Sequence, residues 1–308
     1  MPDSTAAFDH IAWKTQFESA SSNKNGFMEL RKEIFQGTVK IIQNGGYYID
    51  DVFINIPSSI PDNKSEFFEA PEKLICKKNY QTEYSVINAD CLETADVLLK
   101  AGYNTCVLNL ASRQNPGGGV INGAGAQEEN LFRRSNLYLS LYQYASYANQ
   151  YGITKHLKSY PLNQRTGGIY SADITVFRGS EKNGYCLLKN PYVVSFISVP
   201  AINRPDLIKK NGLFYIVDNL VNPVKEKIRT ILRIAGKYKH DSLVLGAFGC
   251  GAYANPPNHT AELFKEVFSE NEFTSAFKHI VFSIYEDHNS SKEHNPNGNV
   301  LPFFDVFN

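Results

Sequence analysis

From residue 83 to residue 287, short apolar segments that are typical of buried strands alternate with longer segments of helical periodicity. The predicted strands are EYSVINAD (83–90), TCVLNLA (105–111), PYVVSFISVP (191–200), the start of DSLVLGAFGCGAY (241–253) and HIVFSIYED (279–287). The predicted helices are residues 91–102, residues 127–149, residues 223–239 with Pro223 in the first turn, and residues 260–269. Strands that alternate with helices pack in layers, so the pattern predicts an α/β fold with a largely parallel sheet.

The chain before this alternation is less regular. Residues 1 to about 25 are polar and predict a loosely held arm. The apolar spacing of residues 28–44 predicts a helix that ends at Gly45, and residues 47–56 predict a pair of strands. Residues 57–83 are rich in polar residues and proline, and we expect a surface connection there.

Neither the irregular stretch at residues 150–192 nor the polar tail after residue 287 contains a linker that divides the core. The sequence therefore predicts a single domain overall. Within it we expect an N-terminal helical accessory region at residues 1–80, packed on a core formed by residues 81–308.

A glycine-rich loop follows the predicted strand at residues 105–111. Gly117, Gly118 and Gly119 are consecutive, and seven residues later come Gln127, Glu128 and Glu129. Glycine has no Cβ, so this backbone can turn through positive φ and approach a ligand closely. A loop that contacts a substrate and presents an acid meets the requirements for cleavage of a glycosidic bond.

Two ordinary explanations exist for the adjacent glutamates. Acidic residues at a helix start stabilise the helix dipole by about 0.3–1 kcal/mol each, and Glu129 is spaced for a surface ion pair with Arg133. A solvated helix start does not require three consecutive glycines, which cost conformational entropy. The combination of loop and carboxylates therefore favours a functional site.

The second glycine-rich loop, residues 246–257, follows another predicted strand. Successive N–H groups in such a loop can form a nest for phosphate oxygens, although a plain turn between strand and helix has the same composition. No GK[ST] follows the glycines, so this is not a Walker loop. Phe248 and Tyr253 are suited either to stacking on a base or ribose or to the core, and the pattern does not separate these roles.

Single polar residues give weaker signals. Asp90, at the end of a predicted strand, can accept a hydrogen bond from an exocyclic amine or can cap the helix that follows. Cys250 lacks a recognisable base and is interpreted as a small residue rather than a nucleophile. The seven histidines lack metal-ligand spacing and are expected at the surface, so neither a metal nor a cofactor is predicted.

Composition limits the possible partners and compartment. The 31 basic and 31 acidic residues balance, so no net charge attracts nucleic acid or membrane. Five cysteines are odd in number and irregularly spaced, which indicates a reducing compartment. Neither a signal peptide nor a membrane-spanning segment is recognisable. We therefore expect a cytoplasmic protein that is a monomer and does not bind membranes or specific nucleic-acid sequences.

The residues GGG, seven residues, then QEE resemble the signature of the poly(ADP-ribose) glycohydrolases. Residues 107–138 look like the microbial-type branch of bacteria and fungi, and the similarity extends through residues 30–48, 167–179, 195–203 and 243–257. This resemblance implies a three-layer α/β/α macrodomain-like fold with a mixed, largely parallel sheet and an N-terminal helical extension.

The resemblance also implies roles for individual residues. Glu129 is expected to be the catalytic acid/base and Glu128 to orient the ribose hydroxyls, while Asp90 aligns with an aspartate that contacts adenine. The residues expected to bind ADP-ribose are Asp90, Asn109, Gly117, Gly118, Gly119, Val120, Gln127, Phe248, Gly249, Cys250, Gly251 and Tyr253.

The expected reaction is hydrolysis of ribose–ribose bonds of poly(ADP-ribose), mainly from the chain terminus, with ADP-ribose as the product. Glu129 would protonate the departing ribose oxygen and then accept a proton from the attacking water. Three alternatives remain: a hydrolase of mono-ADP-ribosylated protein or nucleic acid, a macrodomain that binds ADP-ribose without catalysis, and an unrelated nucleotide-binding α/β protein.

Overall fold

The structure of the chain is a computed structural model that describes residues 8–20, 24–75, 79–286 and 291–307. Its helices are α1 (His10–Ser19), α2 (Lys24–Gln43), α3 (Cys91–Lys100), α4 (Gln127–Arg134), α5 (Leu137–Tyr142), α6 (Asp218–Lys237), α7 (Pro257–Phe268) and α8 (Val300–Phe307). Its strands are β1 (Gly46–Ile49), β2 (Val52–Asn55), β3 (Ser65–Phe68), β4 (Glu83–Ile87), β5 (Thr105–Leu110), β6 (Gly168–Arg178), β7 (Leu187–Val199), β8 (Leu207–Lys210), β9 (Leu213–Ile216), β10 (Ser242–Leu245) and β11 (His279–Ser283).

Within the described ranges, seven strands form one sheet in the order β3-β6-β7-β5-β10-β11-β4. Strands β1 and β2 pair in an antiparallel hairpin, as do β8 and β9. The predicted α/β class, with a mostly parallel central sheet and N-terminal helices, is confirmed.

The chain divides into two compact units. The first unit comprises residues 1–65, 114–160 and 171–194, and the second comprises residues 66–113, 161–170 and 195–308. Both units are assembled from separate stretches of sequence. The boundary expected near residue 80 stays a prediction.

The second unit contains the parallel strands. Residues 195–199 of β7 pair with β5, which pairs with β10, β10 with β11 and β11 with β4, all in parallel. Runs such as residues 243–245 of β10 are buried on both faces, which explains their continuous apolar sequence. Helix α6 buries an apolar face, which consists of Val224, Ile228, Ile231, Leu232 and Ala235.

The first unit contains the N-terminal helices. The prediction of a loosely held arm is wrong for residues 8–20, because helix α1 forms there with Asp9 as its N-cap. Trp13 is buried against Ile34 and Tyr185, and this aromatic anchor offsets the polar composition of the helix. Residues 1–7 and 21–23 of the predicted arm lie outside the described residues.

The helix predicted at residues 127–149 is interrupted. Ser135 is extended, with φ −147° and ψ 173°, and forms an antiparallel bridge with Val176 of β6. The Asn136 side chain accepts a hydrogen bond from the Thr175 N–H at 2.8 Å. Pairing with a strand replaces the helical hydrogen bonds at this point, so the chain continues as the shorter helix α5 and a 3₁₀ turn at Ala148–Tyr151.

Other expectations fail where regular structure occurs in polar sequence. Strand β3 lies in the expected connection at residues 57–83, β6 and the start of β7 lie in the stretch expected to be irregular, and the hairpin β8–β9 was not predicted. Helix α6 begins five residues before Pro223, which therefore lies inside the helix. The tail forms helix α8, and its Phe303 is fully buried. His240 is buried and contacts the Tyr170 hydroxyl at 2.9 Å, so it is not a surface residue.

Lys227 of α6 is a buried cation in the second unit. Its side chain is 2% exposed, and no described residue accepts a hydrogen bond from its Nζ. Burial lowers the pKa of this amine to about 8, and the positive charge of Arg113 adds to the effect. Between that value and the ordinary 10.5, the unfolded chain holds a proton that the folded chain lacks, so stability should rise with pH in this window.

We therefore expect Lys227→Met to raise the free energy of unfolding at neutral pH by about 3 kcal/mol, since the variant keeps the side-chain volume and removes the charge. Urea denaturation at about pH 7 and about pH 10 measures the effect, which should shrink at the higher pH. Lys182→Met at an exposed position is the matched control, and it should change the free energy of unfolding little. If both variants change the free energy of unfolding equally, burial of the Lys227 amine does not destabilise the fold.

Candidate active site

The loop that follows β5 in the chain contains the three consecutive glycines. Gly117 and Gly118 have φ of 77° and 54°, in the left-handed region that favours glycine. A Cβ on Gly117 would lie 2.6 Å from the Phe132 ring, and a Cβ on Gly118 would overlap the Glu129 carboxylate. Both positions therefore require glycine for conformation and for space.

Glu128 and Glu129 lie in the first turn of α4 and point back to this loop. The Gly117 N–H donates to Glu128 Oε1 at 3.0 Å, and the Gly119 N–H donates to Glu129 Oε1 at 2.8 Å. The two residues are only 3% and 7% exposed. Arg133 donates to the Tyr185 hydroxyl and the Ala124 carbonyl, so a surface ion pair with Glu129, the ordinary alternative, does not account for the glutamates.

The second oxygen of Glu129 is the distinctive feature of the site. Glu129 Oε2 is buried, and it has no hydrogen-bond partner among the residues that the structure describes. A buried carboxylate oxygen without a partner is costly and in native proteins calls for a functional explanation. The glycine loop thus fixes one oxygen of Glu129 and leaves the other available for proton transfer.

Helix α2 supports the far end of the same loop. A Cβ on Gly123 would overlap the Met28 backbone, and a Cβ on Gly125 would overlap the Arg31 guanidinium. Arg31 forms a two-pronged ion pair with Glu181, with distances of 2.7 and 2.8 Å. The accessory helix therefore contacts the segment that leads into α4.

Hydrogen bonds extend this support to the loop backbone. The Tyr185 hydroxyl lies 3.0 Å from Glu181 Oε2 and accepts a hydrogen bond from Arg133 Nε at 2.7 Å. Arg133 Nη1 donates to the Ala124 carbonyl at 2.7 Å. Burial alone would raise the pKa of Glu181, but the hydrogen bond and charge of Arg31 hold that pKa below its ordinary value.

This ion pair predicts an acid-dependent stability. Because the folded pKa of Glu181 is lowered, its contribution is present above the unfolded pKa and is lost as the pH falls through the folded value. Arg31→Met should lower the free energy of unfolding by about 1–3 kcal/mol near pH 7, and the deficit should narrow at about pH 3. Urea denaturation at both pH values tests this, with Lys40→Met at an exposed position of the same helix as the control. A loss of stability that does not depend on pH would contradict the predicted role of the Arg31–Glu181 ion pair.

Sequence reasoning missed a group of tyrosines in the first unit. Tyr147 and Tyr160 line a cavity of about 130 Å³ together with Pro116, which precedes the glycines. Burial raises the pKa of Tyr147 to about 12, and the Glu128 carboxylate adds to this shift. The Tyr160 hydroxyl is buried and unpartnered within the described ranges. Tyrosine is abundant throughout the sequence, so the pattern does not single these residues out. Only their electrostatic interaction with Glu128 in the structure identifies them.

The second glycine loop belongs to the second unit. Gly249 has φ of 77°, and a Cβ there would lie 2.6 Å from both Ala201 and Asn255. In the part of the chain that the structure describes, the backbone N–H groups of Phe248, Gly249, Gly251 and Ala252 donate no hydrogen bond. Such a set of free donors is the arrangement that binds phosphate oxygens.

The side chains of this loop have separate roles. Phe248 is buried and packs edge-on against Phe264, which assigns it to the core rather than to stacking on a ligand. Cys250 is fully buried, and burial raises the pKa of its thiol to about 12, so it is not a thiolate nucleophile. Tyr253 is half-buried, and its carbonyl accepts the Arg204 N–H at 2.8 Å.

The structure resolves part of the ambiguity at Asp90. Its Oδ1 accepts the N–H groups of Leu92 and Glu93 at 2.9 and 3.0 Å, so Asp90 is the N-cap of α3. A contact with adenine stays a prediction. Asn109 is fully buried in β5 and donates to the Ser198 hydroxyl at 3.0 Å.

The remaining predicted residues flank the glutamates in the first unit. Val120 is buried in a 3₁₀ turn, and Gln127 is the half-buried first residue of α4. The described residues contain no group of three or more His, Cys, Asp or Glu side chains that could hold a metal ion. The described helices include none that is both long and apolar enough to span a bilayer.

A buried acid held by glycine N–H groups, on an α/β scaffold with a second loop of free N–H donors, defines a macrodomain-like protein of the glycosidase class. Comparison with known proteins gives the family. Residues 35–179 match the family described as "Microbial-type PARG, catalytic domain", where PARG denotes poly(ADP-ribose) glycohydrolase.

Solved structures are similar over most of the chain. The poly(ADP-ribose) glycohydrolase of Thermomonospora curvata is 28% identical, with a TM-score of 0.69, and the match covers 90% of this chain and 99% of that one. A structure of the same enzyme bound to the inhibitor ADP-HPD gives a TM-score of 0.67 at 28% identity, with the same coverage of both chains.

The poly(ADP-ribose) glycohydrolase of Deinococcus radiodurans in complex with ADP-ribose is 26% identical. Its TM-score is 0.58, and the match covers 79% of this chain and 94% of that one. The sequence search against curated proteins found no match.

Proposed function

We propose that this chain is a poly(ADP-ribose) glycohydrolase, which hydrolyses ribose–ribose O-glycosidic bonds and releases ADP-ribose. The observation that carries the proposal is the carboxyl group of Glu129, buried beside the glycine loop with Oε1 held by the Gly119 N–H and Oε2 unpartnered in the described chain. The family match of residues 35–179 supports the same reaction.

The reaction follows from this one carboxyl group. In its protonated form Glu129 donates a proton from Oε2 to the departing ribose oxygen while the bond from that oxygen to the anomeric carbon breaks. The sugar develops oxocarbenium character. A water molecule then adds to the anomeric carbon, and the ionised Glu129 accepts its proton, which restores the starting state.

Glu128 is proposed to orient the ribose. Its Oε1 is held by the Gly117 N–H, and a Cβ on Gly118 would lie 3.2 Å from its Oε2, so this carboxylate also borders the glycine turn. A carboxylate accepts hydrogen bonds from two neighbouring hydroxyls, which suits the diol of a ribose. Its fixed position limits the orientations in which the sugar can bind.

The second unit, by itself, contains groups of the kind that bind a diphosphate and an adenine. Within the described residues, the N–H groups of Phe248, Gly249, Gly251 and Ala252 have no acceptor, and they suit a diphosphate because such donors carry no net charge yet attract oxyanions. Asp90 is proposed for the adenine amine. These roles are part of the proposal.

Product analysis tests the function directly. Defined poly(ADP-ribose) oligomers incubated with the chain should give ADP-ribose by mass spectrometry, and the time course distinguishes release from the terminus, which we propose, from internal cleavage. Calorimetric titration should show a preference for ADP-ribose over ATP and NAD. Binding without release would indicate a non-catalytic module, and release only from mono-ADP-ribosylated protein would indicate the other linkage.

We further propose a cytoplasmic monomer that does not require membrane or sequence-specific nucleic acid. Cys106, Cys186 and Cys250 form no disulfide among the described residues, which supports a reducing compartment. Sedimentation at micromolar concentration tests the oligomeric state, and fractionation of the source cells tests the compartment.

A further inference from the structure

The C-terminal segment reaches the second glycine loop. His294 Nε2 lies 2.8 Å from the Cys250 carbonyl oxygen. Because a carbonyl oxygen only accepts, Nε2 carries the proton and the imidazole donates. His294 is half-buried, and it lies outside residues 35–179 that match the family.

This hydrogen bond fixes the orientation of one peptide group. The Cys250 carbonyl and the Gly251 N–H belong to the same planar trans peptide, in which the two groups point in opposite directions. A carbonyl held by His294 therefore directs the Gly251 N–H away from His294. Within the described ranges this N–H donates to no acceptor, as is also true of its neighbours Gly249 and Ala252.

Side-chain hydrogen bonds brace the turn that presents His294. Asn295 is 1% exposed; its side chain accepts the Lys292 N–H at 2.8 Å and donates to Asn299 Oδ1 at 3.0 Å. Glu286 Oε1 accepts the backbone N–H groups of Asn299 and Val300 at the start of α8. These bonds hold the turn in one conformation on both sides of His294.

Helix α8 anchors the turn to the core of the second unit. The Phe303 ring packs against Phe282 at 4.9 Å between centroids, and the Phe307 ring packs against Phe282 at 4.7 Å and Tyr84 at 5.5 Å. The aromatic burial fixes the position of the segment and thus of the imidazole. The C-terminal tail therefore supports the glycine loop through the hydrogen bond from His294 to the Cys250 carbonyl.

We propose that His294 is a positioning residue for the diphosphate of the substrate: it holds the Cys250–Gly251 peptide so that the Gly251 N–H faces the oxyanion. This inference rests on the proposed function and adds a residue to it. Without the donor, the peptide can rotate, and the N–H is no longer held ready for the phosphate oxygen. The loss affects binding more than proton transfer, since Glu129 lies in a different loop.

The test compares His294→Leu, which removes the donor, with His294→Gln, whose amide N–H reaches a similar position. Titration calorimetry measures the affinity for ADP-ribose, ADP and adenosine, and a release assay measures KM and kcat. His294→Leu should weaken the binding of ADP-ribose and of ADP by about three- to tenfold and raise KM by a similar factor. The value of kcat should stay within about twofold of that of the wild type. Adenosine affinity should be unchanged, and His294→Gln should restore most of the loss.

Exposed Glu293→Ala is the matched control in the same turn, and thermal unfolding of each variant reports folding. Equal affinities of wild type and His294→Leu for ADP-ribose would overturn the proposal, as would an equal loss for adenosine or a failure of His294→Gln to restore binding. If His294→Leu does not fold, His294→Gln against His294→Asn, whose shorter side chain withdraws the donor, gives the same comparison. A wild-type chain that does not bind ADP-ribose would instead refute the proposed function.

Discussion

Glu129→Gln should slow turnover by orders of magnitude while ADP-ribose still binds. The amide cannot donate and recover a proton as a carboxyl group does, so we expect the rate of ADP-ribose release to fall by about 10²–10⁴-fold. The amide oxygen can still accept the Gly119 N–H, and the side chain keeps its size, so the loop should keep its conformation. ADP-ribose affinity by calorimetry should stay within about threefold of the wild-type value.

The control for this exchange is exposed Glu33→Gln on α2, for which wild-type activity is expected. Glu128→Gln is informative alongside it, because Glu128 is proposed to orient the substrate rather than to transfer the proton. Wild-type release by Glu129→Gln, or loss of ADP-ribose binding in a folded variant, would refute the assigned role of Glu129.

Gly118→Ala is the second substitution for which we expect a large effect. A Cβ at this position would overlap the Glu129 carboxylate, and the residue has φ of 54°, which is unfavourable for alanine. The backbone conformation should destabilise the chain by about 1–2 kcal/mol. Displacement of the carboxyl group should reduce ADP-ribose release by about 10²-fold, since small misplacements of a catalytic group have effects of that size.

Gly212→Ala separates the two contributions. Gly212 also has a positive φ, of 84°, but a Cβ there would have no atom within 4 Å. Both variants should lose similar stability in urea denaturation, whereas only Gly118→Ala should lose activity. If the two variants retain the same activity, Gly118 is required for backbone conformation alone and the collision with Glu129 is not functionally important.

The sequence was sufficient to predict the α/β class and to single out the glycine loop that holds Glu128 and Glu129. Strands β5, β10 and β11 are buried on both faces, so their apolar runs directly reflect their environment. Gly117 and Gly118 are equally informative, because positive φ and close approach to Phe132 and Glu129 exclude other residues. Local constraints of this kind remain visible in a single sequence.

The broken helix at Ser135 and the strands β3 and β6 depended on tertiary pairing. Their sequences are compatible with more than one conformation, and the partner strand, which is distant in the chain, determines the outcome. The same is true of Asp90, where cap and ligand-binding roles require the same residue type.

The side chains that support the two glycine loops could not be predicted from local sequence pattern either. Arg31 pairs with Glu181 across 150 residues of sequence, and His294 contacts Cys250 across 44 residues. By itself the sequence singled out the glycine turn and the paired glutamates that follow it, because the conformation of a glycine turn is constrained by its own backbone. Only the tertiary structure decided which side chains hold them in place, since those contacts join segments whose spacing along the chain has no local signature.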